Sequence, residues 1–145
     1  MHNNGTPEAQ PPRQIGRSIL AVLAGFIVVV VLSLLTDVAF YSAKLMPPAD
    51  PSTANSTFLL ATIYRTVYAV AGNYITARLA PYQPMQHAMI GGMIGFVLSI
   101  VGVLISWNHV ATMGPRWYPI SLVVTALPAA WAGGKLRLMQ LHSSH

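Results

Sequence analysis

Only three acidic residues, Glu8, Asp37 and Asp50, are available in this 145-residue chain for acid–base catalysis or for binding a hard cation. Catalysis by paired carboxylates needs two such groups close together, and a dedicated Mg²⁺ or Ca²⁺ site needs several oxygen ligands. The scattered acids of this sequence meet neither requirement. We therefore expect no carboxylate-based active site.

Histidine and cysteine chemistry is equally poorly supported. Cysteine is absent, which excludes disulfides, thiolate nucleophiles and Cys-ligated metal centres. His142 and His145 lie near one another in sequence, but no acid or cysteine accompanies them. Phosphate-binding loops, dinucleotide fingerprints and nucleophile elbows are also missing. The sequence therefore predicts a protein that is not an enzyme and that has no metal site and no cofactor.

The pairing that the spacing does support joins Asp37 and Arg65. Each lies inside a long apolar segment, and in an antiparallel pair of helices the two side chains reach a similar depth. An unpaired Arg in hydrocarbon costs at least about 2.5–3.5 kcal/mol, so a carboxylate partner is expected. We predict an intramembrane ion pair between them. The polar residues expected beside it are Ser33, Thr36, Tyr64, Tyr68 and Asn73.

This ion pair has two interpretations, and the sequence leaves both open. Intramembrane charges can gate, bind anions or relay protons. They can also act as a structural clamp between two helices, or the Arg can extend toward the interface. Asn73, deeper in the same helix, is expected to donate a hydrogen bond to another helix.

Four apolar segments must position these residues. Hydrophobic residues make up 54% of the chain and charged residues 8%, against roughly 25% charged residues in soluble domains. Residues 18–36, 88–108 and 117–134 contain no charge, and residues 57–77 contain only Arg65. A helix of about 20 apolar residues crosses a hydrocarbon core of about 30 Å. We therefore predict an all-α, polytopic membrane protein with four transmembrane helices in a compact bundle.

Prolines and polar residues set the predicted boundaries of these helices. The helices are expected at about residues 15–44, 57–80, 86–108 and 118–139, within a single transmembrane domain of residues 15–140. Residues 1–14 are predicted to form a disordered cytoplasmic tail, and residues 141–145 a short C-terminal tail. Pro128 predicts a kink in the fourth helix, which is a static bend, a hinge, or a place where an exposed carbonyl lines a cavity.

Small residues recur at about every fourth position in each predicted helix. Lipid supplies no hydrophobic force between helices, so close packing of small residues must hold them together. The predicted packing positions are Gly25, Gly91, Gly95, Ser99 and Gly133. The GxxxG match formed by Gly91 and Gly95 faces either another helix of the bundle or a second copy of the chain.

Basic residues lie at the ends of the predicted helices. A net charge of +5 suggests nucleic acid in a soluble protein, but this placement instead indicates anchors at the membrane interface, and no nucleic acid is expected. The side that contains the N-terminal tail collects Arg13, Arg17, Arg78, Lys135 and Arg137. The opposite side collects Lys44 and Arg116. The excess predicts that both termini are cytoplasmic in a multi-pass protein of the inner (plasma) membrane.

Several short segments resemble those of a group of small uncharacterised bacterial four-helix membrane proteins. They are Arg-Thr-Val-Tyr at 65–68, Thr-Ala-Arg-Leu-Ala-Pro at 76–81, His-Ala at 87–88 and Trp-Tyr-Pro at 117–119. The group is expected to have Gly-Gly-Tyr where this chain has Gly-Asn-Tyr at 72–74. The resemblance implies a bacterial inner membrane and no known activity.

Two functions remain open from the sequence. The first is a non-enzymatic accessory or assembly subunit that contacts the lipid bilayer and either a second copy or another membrane protein. The alternative is a small-solute transporter that acts as a homodimer. Its four helices match the size of small multidrug-resistance transporters, but those have a glutamate in the first helix, and no Glu lies in an apolar segment here.

Overall fold

Four helices are present in the computed structural model, which describes residues 14–46, 54–109 and 114–144. The helices are α1 (Ile15–Ser42), α2 (Ala54–Leu79), α3 (Pro84–Ser106) and α4 (Trp117–Ser143). They pack against one another as a bundle, and no strand occurs in the described residues, so the predicted all-α class is confirmed. Apart from Gln14, the predicted N-terminal tail lies outside the described residues.

The end of α1 shows why the predicted helix was too long. The helix ends at Ser42 rather than near residue 44, because Lys44 adopts a left-handed conformation with φ 59°. The Lys44 N–H donates to Tyr41 O at 3.1 Å, and the Leu45 N–H donates to Phe40 O at 2.9 Å. These two bonds form a Schellman cap, which satisfies the last carbonyls of the helix.

The other helices also differ from their predicted bounds. α2 begins at Ala54 instead of residue 57, and α3 begins at Pro84, a position where the missing proline N–H costs nothing. α4 continues to Ser143 rather than ending near residue 139, so the predicted C-terminal tail is mostly helical. Gln140 ties this end of α4 to α2, because its Oε1 accepts a hydrogen bond from Tyr74 OH at 2.6 Å.

The directions of α1, α2 and α4 follow from contacts at two levels of the bundle. α1 is antiparallel to α2, because residues near its middle meet the second half of α2 and residues near its end meet the first half. α2 and α4 run parallel: Thr62 bonds to Ser121 near their starts, and Tyr74 bonds to Gln140 near their ends. α2 contacts all three other helices and packs mainly on α1 and α4.

α3 is antiparallel to α4 and therefore parallel to α1. Gly92 lies against Ala130, while Met85, earlier in α3, lies against Gly134, later in α4. α3 packs extensively on α4 but only sparsely on α1, whose main partner is α2. The two parallel helices α1 and α3 are thus the least tightly joined neighbours in the bundle.

The interior of the bundle is built from small side chains. Among the described residues, the buried hydrophobic side chains are all alanines: Ala21, Ala61, Ala77, Ala88, Ala129 and Ala130. Thr76 is the largest side chain that is fully buried. Large apolar side chains point outward instead, as Leu104 on α3 (71% exposed) and Val124 on α4 (66% exposed) illustrate.

Length and composition alone support two membrane crossings rather than the four predicted. Of the helices that the structure describes, α1 and α3 are long and apolar enough to cross a membrane. α2 and α4 are as long but more polar: α2 contains Arg65 and Asn73, and α4 contains Lys135 and Arg137.

Candidate functional site

Asp37 and Arg65 meet between α1 and α2. Arg65 Nη2 donates a hydrogen bond to Asp37 Oδ2 at 2.5 Å, and Tyr64 OH donates to Asp37 Oδ1 at 2.5 Å. Both carboxylate oxygens of the α1 residue are thus held by donors from α2. The Arg65 and Asp37 side chains are 31% and 20% exposed, so the pair is half-buried at the bundle surface.

Aromatic rings enclose this ion pair. The ring of Tyr64 lies 5.5 Å from that of Phe40, edge to face, and 5.6 Å from that of Tyr68. From α4, Tyr118 lines the same cavity as Arg65. Sequence reasoning did not associate Tyr118 with the pair, because only the packing of α4 beside α2 brings them together.

The remaining predicted neighbours lie at different depths. Thr36 Oγ1 and Tyr68 OH are 2.8 Å apart and form a second polar contact between α1 and α2. Ser33 and Asn73 line a cavity deeper in the bundle. The predicted donation from Asn73 to another helix is wrong: its Nδ2 donates to Ala69 O of α2 itself, at 2.8 Å.

Three of the predicted packing glycines do lie at contacts between helices. A Cβ on Gly25 would overlap Thr76 Oγ1 and the carbonyl oxygen of Gly72, so α1 and α2 approach backbone to backbone. A Cβ on Gly133 would lie 2.6 Å from the carbonyl oxygen of Val70. A Cβ on Gly91 would lie 2.9 Å from the Asn73 side chain. A Cβ at Gly25 or Gly133 would meet backbone atoms, so both positions require a residue without a side chain, whereas at Gly91 only the end of the Asn73 side chain would have to move.

The packing role predicted for Gly95 within the bundle is wrong. A Cβ at this position would meet nothing within 4 Å, and Gly95 and Ser99 both line the cavity. The contact between α3 and α4 is made by Gly92, where a Cβ would overlap Ala130. The reason is the rotation of α3 about its axis, which turns Gly92 toward α4 and leaves the Gly95 face open.

Pro128 lies on the exposed face of α4, and the helix continues through it. Proline lacks the N–H that would bond to the carbonyl of Val124, one turn earlier. Val124 is itself 66% exposed, and neither residue lines the cavity. The interpretation of the freed carbonyl as part of a cavity wall is therefore wrong.

The cavity has a volume of about 850 Å³ and is lined by all four helices. Its α2 wall extends from Arg65 to Thr76, and its α3 wall extends from Gly91 to Ser106. At 1.5 Å per residue these walls are about 16 and 22 Å long. The lining is mostly apolar, and the sparse contact between α1 and α3 leaves the cavity open at the side.

Charge is unevenly distributed around the cavity. Among the residues that the structure describes, Arg65 is the only charged one in the lining, while Asp37 binds the guanidinium from outside the wall. Arg65 Nε is buried and has no hydrogen-bond partner within the described residues. A guanidinium can donate five hydrogen bonds, so Arg65 can hold a further acceptor group on the cavity side.

Metal ligation finds no support in the described ranges. No group of three His, Cys, Asp or Glu side chains there is placed to hold an ion. The part of the predicted site that could support chemistry is therefore the ion pair of Asp37 and Arg65 with its neighbouring tyrosines.

Comparisons with protein-family models, with curated proteins and with solved structures give no match to this chain.

Proposed function

We propose that the chain is a multi-pass integral membrane protein whose four helices all cross the bilayer. The observation that carries this proposal is the inverted packing, with alanine and glycine inside and Leu, Ile and Val outside. In water, large apolar side chains are driven inward by about 25 cal/mol for each Å² buried. In a bilayer that force is absent between helices, and small residues are favoured at the contacts.

The parallel directions of α1 and α3 support four crossings rather than two. If both helices cross the membrane side by side and in the same direction, the chain must return between them. The segment that makes this return is α2, whose 26 residues span about 39 Å. α4 has 27 residues and lies alongside α2 and α3 for most of its length, so it shares their environment.

α2 is less apolar than α1 and α3, but it can still cross the bilayer because its polar groups are buried against other helices or are hydrogen-bonded. Thr62 and Thr76 are buried against other helices, and Thr66 and Asn73 bond to carbonyls one turn earlier in α2. Arg65 is paired with Asp37. Polar groups that face a bundle interior and are hydrogen-bonded do not prevent a helix from spanning.

The proposed orientation has both termini in the cytoplasm of a bacterial cell. Arg17, Arg78 and Arg137 lie at the bundle end that holds the start of α1 and the ends of α2 and α4. The opposite end has Lys44 and Arg116. The larger number of basic residues at the first end supports its cytoplasmic placement by the positive-inside rule.

Within this setting, we propose a non-enzymatic accessory or assembly role. A mostly apolar cavity that opens at the side of the bundle suits an apolar partner molecule better than a hydrated path for a solute. The second candidate is a small-solute transporter that acts as a homodimer. It is favoured by the polar groups of Arg65, Asn73 and Thr125 in the cavity wall.

Membrane topology is tested by labelling single cysteines, which this cysteine-free chain makes straightforward. Gln86→Cys, Asn108→Cys and Ser144→Cys are treated in intact cells with a membrane-impermeant maleimide. Four crossings predict that only position 108 is labelled before the membrane is permeabilised. If α1 and α3 alone crossed, position 86 would be labelled and position 108 protected, which would contradict the proposal.

The two candidate roles differ in whether water fills the cavity. Ser99→Cys places a thiol in the α3 wall, and a small hydrophilic thiol reagent should leave it unmodified if the cavity is occupied by apolar groups. Rapid modification, together with a homodimer in native mass spectrometry, would favour the transporter. Co-purification of one defined membrane protein in fixed ratio would support the accessory role.

A further inference from the structure

The shape of the cavity restricts what can occupy it. A volume of about 850 Å³ lies within the range of small-molecule sites. Spread over a wall of about 16–22 Å, it corresponds to a cross-section of about 40–50 Å². A transmembrane helix with a diameter of about 10 Å has a cross-section of about 80 Å² and is too wide to enter the cavity as a whole. A narrow chain-like molecule can enter it.

The lining shows how such a molecule would be oriented. Near the level where α4 begins, the wall contains Arg65, Tyr118 and Ser106. Deeper in the bundle it is formed largely by apolar side chains and by glycines such as Gly95. One end of the cavity therefore offers a charged hydrogen-bond donor, whereas the rest offers mainly apolar surface with a few neutral polar side chains such as Asn73. This polarity matches an amphiphile with a head group at one end and a hydrocarbon chain at the other.

The charge of the wall determines the type of head group. Arg65 is positive, and no acidic residue of the described part of the chain lines the cavity. A cationic head group would find no carboxylate in the described lining, because Asp37 is bound to Arg65 from outside the wall, and burying an unpaired charge in a site of low dielectric constant is unfavourable. A phosphate or carboxylate would instead accept charge-assisted hydrogen bonds from the guanidinium, which keeps donors beyond the one bound to Asp37.

We propose that this cavity binds one long-chain amphiphile with an anionic head group, held at Arg65 and Tyr118. Its hydrocarbon chain extends inward between α1 and α3, past the open face of Gly95. The proposal rests on the proposed membrane insertion, because the bilayer supplies such molecules and the side opening admits them. An anionic phospholipid and a free fatty carboxylate share this chemistry.

Gly95 provides a direct test of the site. Because a Cβ there meets nothing within 4 Å, the side chain of Gly95→Leu starts in open space and takes up volume of the cavity. Gly16→Leu is a matched control, since position 16 is equally open but lies outside the cavity lining. Both variants remove a helical glycine and add the same side chain, so they differ only in where its volume is placed.

Binding is measured by native mass spectrometry of the detergent-extracted full chain with phosphatidylglycerol and phosphatidylcholine of identical acyl chains. The expected result is one retained phosphatidylglycerol, with retention about tenfold weaker (about 1.4 kcal/mol) in Gly95→Leu and unchanged in Gly16→Leu. The paired substitution Asp37→Asn with Arg65→Gln should abolish the preference between head groups. In a parallel arm, palmitate that displaces phosphatidylglycerol would identify a free carboxylate as the bound form.

Two results would overturn the proposal. Equal retention of both phospholipids in the wild type would exclude recognition of an anionic head group. Unchanged retention in Gly95→Leu would show that lipid binds outside the cavity. The cysteine labelling of Gln86, Asn108 and Ser144 is carried out on the same proteins. A normal four-crossing pattern without lipid binding then rejects only this inference, whereas an altered pattern rejects the proposed topology.

Discussion

Replacing Gly25 with alanine tests the closest approach in the bundle. The added Cβ would overlap Thr76 Oγ1 and, more seriously, the backbone carbonyl oxygen of Gly72. A side-chain oxygen can rotate away, but a helix carbonyl moves only if the whole helix moves. Gly25→Ala should therefore force α1 and α2 apart at this level, which would weaken contacts along both helices.

The expected magnitude combines two opposing effects. Overpacking at a close contact costs about 1–3 kcal/mol. Alanine in a helix interior is favoured over glycine by about 0.5–1 kcal/mol. Gly25→Ala should thus lower the free energy of unfolding by up to about 2.5 kcal/mol. Gly95→Ala should raise the free energy of unfolding slightly. Its Cβ enters open space, so only the preference of a helix for alanine over glycine applies.

The assay is reversible unfolding of the purified chain in a mild non-ionic detergent to which a denaturing anionic detergent is added in steps. Far-ultraviolet circular dichroism and tryptophan fluorescence follow the transition, since the chain has 3 tryptophans. The two alanine variants should differ by about 1–3 kcal/mol, with Gly25→Ala the less stable. Equal stabilities, or a more stable Gly25→Ala, would refute the close backbone contact between α1 and α2.

Three further predictions use the same unfolding measurement. Asp37→Asn and Arg65→Gln should each lower the free energy of unfolding by about 1.5–3 kcal/mol. The double variant should lower it by at least about 1 kcal/mol less than the sum of the two, because no unpaired charge is left. Additive effects would exclude direct coupling between the two side chains. Gly92→Ala should destabilise the bundle by forcing its Cβ against that of Ala130, and adding Ala130→Gly should restore most of the loss; no restoration would contradict the contact. Pro128→Ala should raise stability by about 1 kcal/mol through one regained backbone hydrogen bond; a loss of stability would indicate that the bundle requires the bend.

Much of the helical architecture could be predicted because it depends on local features. Long apolar segments and the prolines between them indicate four helices, and short connections make successive helices antiparallel. The same connectivity places Asp37 and Arg65 at similar depths, where the structure has them 2.5 Å apart. Helix ends were less predictable: α1 ends through the left-handed conformation of Lys44, a choice that a lysine does not signal.

The arrangement around the helix axes could not be predicted in the same way. A four-residue repeat shows that Gly91 and Gly95 lie on one face, but it does not show which neighbour that face meets. The packing of α3 on α4 turns Gly92 to the contact and leaves Gly95 open. Asn73 likewise bonds within α2 although its position suggested another helix.

Sequence by itself determined the helices, their order, their small-residue composition and the depth of the two paired charges, because these follow from hydropathy, chain stereochemistry and short connections. Tertiary structure alone decided the cavity and its contact with Tyr118. A cavity is the space left when the rotations and separations of four helices are set together. Those quantities depend on contacts between residues distant in sequence, such as Gly25 with Gly72 and Thr62 with Ser121, which no local pattern specifies.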